Sequence, residues 1–120
     1  MWLNSYTATL SPVNDWEIVE AAHRFALLSD PTRLRILHTV MERGELSVHE
    51  IAEAARVSRF NTSAHLNRLA AGGLMARRRE ASTVYYRVDD RQLAQICESM
   101  CESVRARARA SAAAASSSTL

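Results

Sequence analysis

Lysine is missing altogether: the fifteen basic residues of this 120-residue chain are all arginine. Cysteine is scarce. Cys97 and Cys101 are too few for a disulfide framework, which fits a reducing compartment. No apolar run approaches the length needed to span a bilayer, and the opening segment MWLNSYTATLSPVN has neither an early positive charge nor an apolar stretch. The expectation is a soluble, cytoplasmic protein with no membrane partner. A phosphate-binding glycine loop and a Gly-x-Ser-x-Gly elbow are also lacking, and the four histidines are scattered over separate segments. The chain is therefore not expected to be an enzyme, and no catalytic residue is assigned. The length suits one hydrophobic core and not two. We expect an N-terminal extension over residues 1–14, a folded domain over 15–110 and a disordered, low-complexity tail over 111–120 (SAAAASSSTL).

What is present is unevenly spread. Residues 1–55 hold four Arg against eight Asp or Glu, a balance of −4, whereas residues 56–91 hold eight Arg against three acids, a balance of +5. A basic block in an otherwise acidic small domain suggests a face that meets a polyanion, because clustered cations gain by displacing counterions from phosphates. The planar fork of Arg suits phosphates and guanine edges, although a Lys-free chain rich in Ala equally reflects coding composition.

Helical spacing runs from Trp16 to Leu28 through Val19, Ala22, Phe25 and Ala26. In SDPTRLRIL, Asp30 can cap a second helix and Pro31 occupies its first position, which needs no donor; Leu34, Ile36, Leu37, Val40 and Met41 give it a buried face, and Gly44 ends it. In SVHE, Ser47 and Glu50 fit a reciprocal capping box for a short third helix to about Ala55. Ser58 can cap a fourth, RFNTSAHLNRLAAG, stopped by Gly72 and Gly73. Thr62, Leu66 and Leu69 share one side of it, and Asn61, His65 and Arg68 another.

From Leu74 the period changes to that of two strands, LMARRRE and TVYYRV, and from Arg91 the helical period returns through Leu93, Ile96, Cys97, Met100, Cys101 and Val104. The expected fold is mainly α: a winged helix-turn-helix of five helices and a two-stranded wing. In such a pair the second helix enters the major groove of double-stranded DNA. Asn61, His65 and Arg68 form a groove-facing set, and Arg77, Arg78 and Arg79 are the wing's contacts to phosphate or minor groove. Arg59 and Thr62 on the helix and Arg87 on the second strand complete the candidates read from this pattern. The plain alternative is an arginine triplet that is a solvated strand edge and a polar helix face that is only wet.

The segments LSDPTRLRIL, ELSVHEIAEAARVS, TSAHLNRLAAGGLMARRRE and VYYRV resemble, in order and spacing, the ArsR/SmtB family of winged-helix transcriptional repressors over roughly residues 20–90. The resemblance implies a homodimer joined through the first and last helices, an imperfect palindromic operator, and release by a metal ion, metalloid or redox signal. It adds Ser63 to the DNA-contacting set, beside His65. Metalloid and soft-metal sensors of the family carry Cys where this chain has Ser47 and His49, so a soft-metal site on that helix is not expected. The family's Asp-and-His site on the last helix is missing as well: Arg91 and Gln92 follow Asp89 and Asp90, and no His comes after His65. For the cofactor two readings stay open. A divalent transition metal (zinc, nickel or cobalt) binds among Cys97, Cys101 and His49, or there is none and the two cysteines are packing residues. The competing function is a winged-helix adaptor acting through a partner protein.

Overall fold

The computed structural model describes residues 11–118, so most of the N-terminal extension expected over 1–14 lies outside the described residues. Its elements are α1 (Asp15–Leu28), α2 (Pro31–Arg43), β1 (Leu46–Ser47), α3 (Val48–Ala55), α4 (Arg59–Ala71), β2 (Ala76–Glu80), β3 (Thr83–Arg87) and α5 (Arg91–Ser118).

Side chains that satisfy the free first-turn amides set the helix starts. Asp30 Oδ2 accepts from the Arg33 amide at 2.9 Å and Ser58 Oγ from that of Asn61 at 3.1 Å. Asp90 Oδ1 accepts from Gln92 and Leu93 at 3.0 and 3.1 Å. Ahead of α3 the capping box is complete: the Glu50 amide donates to Ser47 Oγ at 3.2 Å, and the Ser47 amide donates to Glu50 Oε1 at 2.9 Å.

Helices α3 and α4 end alike. Arg56, left-handed at φ 60°, donates to the Glu53 carbonyl while Val57 donates to that of Ala52; Gly73, at φ 78°, and Leu74 repeat the pattern on Ala70 and Leu69. These crossed bonds satisfy the last carbonyls and turn the chain sharply. The first of them leaves only residues 56–58 between α3 and α4, the tight link of a helix-turn-helix. At the second, a Cβ on Gly72 would run into the Leu27 side chain, so glycine lets the end of α4 close against α1.

Ile36 and Leu37 of α2, Ile51 of α3, and Leu66 and Leu69 of α4 are fully buried, and Tyr86 of β3 and Leu93 of α5 close the same core. The sheet is antiparallel in the order β1-β3-β2, with Leu46 and Arg77 flanking Tyr86, and Arg79 opposite Val84.

Two features depart from expectation. A third strand, β1, joins the wing; at two residues it is too short to show a period, and pairing with β3 creates it. The tail expected to be disordered over 111–120 continues α5 as helix through Ser118. Alanine loses no side-chain freedom there and has the highest helix propensity. Among the described residues no helix is long and apolar enough to cross a membrane.

Candidate nucleic-acid interface

Helix α4 advances about 100° per residue, so residues three and four apart share a face. Thr62, Leu66 and Leu69 are all 0% exposed and point into the core. This corrects the place of Thr62 among the DNA contacts: its hydroxyl is enclosed, with no hydrogen-bond partner among the described residues, and cannot reach a base. The same spacing that pairs it with Leu66 buries it.

Of the other residues expected on this helix, Arg59, Asn61 and Arg68 are exposed, and Ser63 and His65 are half-buried. His65 Nδ1 is enclosed with no hydrogen-bond partner among the described residues, and His65 lies on the flank of α4 toward the start of α2. There the Asp30 carboxyl is held below the usual range, first by the Arg33 amide it accepts from, with the charges of Arg33 and His65 acting in the same direction. Sequence reasoning misses Phe60, Ala64 and Asn67, which are exposed on the outer face; Phe60 is 83% exposed. The helical period carries the signal for them, but an apolar residue in a first turn also reads as core.

The wing sorts its arginines by strand face, since successive side chains alternate. On one face Arg78 bonds Glu45 at 2.6 Å and Glu80 at 2.9 Å and lies 4.8 Å from the Tyr85 ring centroid. Arg87 pairs there with Glu45 at 3.7 Å and Asp89 at 3.4 Å. Chiefly through the Arg78 hydrogen bond, the Glu45 carboxyl is held below the ordinary range, and the Arg78 pKa is pushed up in return, first by Glu45 and then by Glu80. On the other face Arg77 and Arg79 are exposed and make no ion pair among the described residues. Arg77 lies 6.0 Å from the Tyr86 ring centroid, and the Tyr86 hydroxyl donates to Asn67 Oδ1 at 3.4 Å. That contact ties this face of the wing to α4. Two uncompensated arginines and an open helix face therefore sit on one side, a geometry suited to a duplex backbone and its groove.

The candidate metal ligands are dispersed. Cys97 is buried, and desolvation, with Cys101 adding to it, pushes its thiol up. His49 is exposed and 3.7 Å from Glu53 Oε1. Cys101 Sγ lies 3.5 Å from His38 Nε2, a pairing of α5 with α2 that spacing does not reveal. Among the described residues no three His, Cys, Asp or Glu are grouped to hold a metal ion.

Large apolar side chains stand out of two helices: Trp16, Ile18, Val19 and Phe25 on α1, and Ile96, Met100 and Val104 on α5 are 45–72% exposed. None of α1 is buried. An unpartnered apolar surface on two elements is the mark of an association face.

A helix-turn-helix followed by a hairpin defines a winged helix-turn-helix regulator, and comparison with known proteins agrees. A family described as helix-turn-helix domain matches residues 28–78. The chain is 31% identical over 85 residues to the HTH-type transcriptional regulator KmtR of Mycobacterium tuberculosis (71% of this chain, 65% of that protein). It is 33% identical over 88 residues to the arsenic resistance transcriptional regulator ArsR1 of Pseudomonas putida (73% and 68%). Among solved structures, the homodimeric winged helix-turn-helix DNA-binding domain Mb0332 of Mycobacterium bovis, a possible ArsR-family regulator, superposes with a TM-score of 0.66 at 28% identity (80% and 90%). The antimony-specific transcriptional repressor AntR does so with 0.71 at 27% (82% and 90%). The chain thus spans just under two thirds of KmtR and slightly more of ArsR1. It belongs to the ArsR/SmtB family of winged-helix transcriptional regulators. KmtR and ArsR1 are transcriptional regulators and AntR a transcriptional repressor.

Proposed function

We propose that this chain is a homodimeric, sequence-specific DNA-binding repressor that occupies an imperfect palindromic operator. The carrying observation is the coincidence, on one side of the molecule, of the exposed face of α4 with Arg77 and Arg79, whose charges no carboxylate among the described residues neutralises. Arg59, Asn61 and Arg68 contact DNA from α4, with Ser63 and His65 at its flanks. Arg77 and Arg79 hold the backbone or minor groove, while Arg78 and Arg87 contribute less because Glu45 engages them. The exposed apolar residues of α1 and α5 support a dimer through those helices. Twofold symmetry then sets two recognition helices about one DNA turn, or a multiple of it, apart.

We infer further that a metal ion or other signal modulates binding. Support comes from Cys101 and His38, which join α5, the proposed dimer helix, to α2 of the core. The test is fluorescence anisotropy on DNA upstream of the protein's own coding sequence, titrated in chelator and then with zinc, nickel, cobalt or an oxidant. Binding that weakens steeply with salt supports the repressor. Salt-insensitive or absent binding by a folded dimer would refute it and favour the adaptor acting through a partner protein.

A further inference from the structure

The outer face of α4 is apolar along its middle. Taking Phe60 as the origin and about 100° per residue, Ala71 lies about 20° away, Ala64 about 40° and Asn67 about 20° on the other side, with Arg68 and Asn61 following at about 80° and 100°. All six are exposed. Apolar residues thus occupy both the core face and the centre of the open face, which no packing among the described residues explains. Phe60, 83% exposed, is the second residue of the helix, in the part of a recognition helix that meets base edges. Arginines flank it on the helix, and Arg77 and Arg79, which make no ion pair among the described residues, lie on the adjoining wing face. That charge pattern draws the strip to a polyanion and away from an apolar partner.

Within the major groove only thymine offers an apolar group, its C5-methyl, whereas an exposed phenyl ring has nothing to gain from the polar edges of guanine or cytosine. Asn61 and Asn67, beside the strip, carry the amide that pairs with adenine N6 and N7. Resting on the DNA-binding reading above, we propose that Phe60 and Ala64 read thymine methyl groups, so that each operator half-site carries A·T pairs under the start of α4. Phe60 is a specificity-determining residue. Its removal leaves the fold intact, since it contributes nothing to the core.

The experiment selects bound sequences from a random duplex library with the full-length protein. It then measures affinity for the selected duplex with individual thymines replaced by uracil, which deletes the methyl and nothing else. Loss of one buried methyl corresponds to about fourfold weaker binding, and replacement in both half-sites to about fifteenfold. The wild type should show these losses at defined thymines. Phe60→Ala, with unchanged melting, should bind the thymine duplex more weakly and be indifferent to uracil at those positions. A selected site whose affinity does not respond to uracil, or one to which Phe60→Ala responds as the wild type does, overturns the thymine readout and leaves the repressor reading standing. Failure to select any sequence overturns both.

Discussion

The division of the wing arginines makes a quantitative prediction. Each phosphate neutralised by a cation steepens the fall of log K with log salt by about 0.9 on B-form DNA. Arg77 is exposed and unpaired by any carboxylate among the described residues, and a dimer presents it twice. Arg77→Ala should therefore reduce the slope by about 1.8, so that between 50 and 200 mM salt the wild type loses about twelvefold more affinity than the variant. Arg79→Ala should behave alike, and the double variant should reduce the slope by about 3.6. Arg78 differs, because its guanidinium is already held by Glu45 at 2.6 Å and Glu80 at 2.9 Å. Arg78→Ala should leave the slope nearly unchanged and instead loosen the sheet, freeing Glu45. The assay is anisotropy across a salt series on one selected duplex. Equal slope changes for Arg77→Ala and Arg78→Ala would refute the two-face assignment, and no change in either would remove the wing from the DNA interface.

Thr62→Val replaces an enclosed, unpartnered hydroxyl by a methyl of the same shape. Operator affinity should not change and the melting temperature should rise, corresponding to about 1–3 kcal/mol; weakened DNA binding at unchanged stability would return Thr62 to the interface. Ser47→Ala removes one half of the capping box, so thermal unfolding should report a loss of about 1 kcal/mol with any metal response unaltered. Glu45 and Glu50 have carboxyl pKa values lowered on folding, Glu45 chiefly by Arg78 and Glu50 chiefly by the Ser47 amide. A lowered folded pKa gives stability that is full above the unfolded value, about 4.3, and lost as pH falls through the folded one. Urea unfolding should therefore weaken on acidification below about pH 5, and Glu45→Gln should flatten that decline; an identical decline in the variant would show that the Arg78 pair does not contribute.

Order within the chain was legible wherever a few neighbouring residues decide it. Asp30 before Pro31, Ser47 with Glu50, and Ser58 all cap helices as their spacing implies, because a cap bonds an amide only two or three residues ahead. The change of period at Leu74 marked the hairpin for the same reason, and the motifs that resemble the ArsR/SmtB family lie within this locally determined run. β1 was not legible, since two residues become a strand only beside Tyr85 and Tyr86, some forty residues later. The alanine-rich end misled because low complexity suits both a frayed tail and a helix, and intrinsic propensity decided for helix.

At the candidate interface the same division holds. Periodicity placed Asn61 and Arg68 outward and Thr62 inward with Leu66 and Leu69, but the exposure of Phe60, an apolar residue that also reads as core, depends on what lies across from α4. Arg77, Arg78 and Arg79 look identical in sequence; the pleat separates them, and Glu45, thirty-three residues from Arg78, neutralises one face and leaves the other charged. His38 and Cys101 meet only because α2 and α5 pack together. Residue types and spacing decide which helices, caps and turns form, because those energies are local. Which charges remain for DNA, and which polar groups are sealed away, is settled by contacts between residues distant along the chain, which only the packed fold brings together.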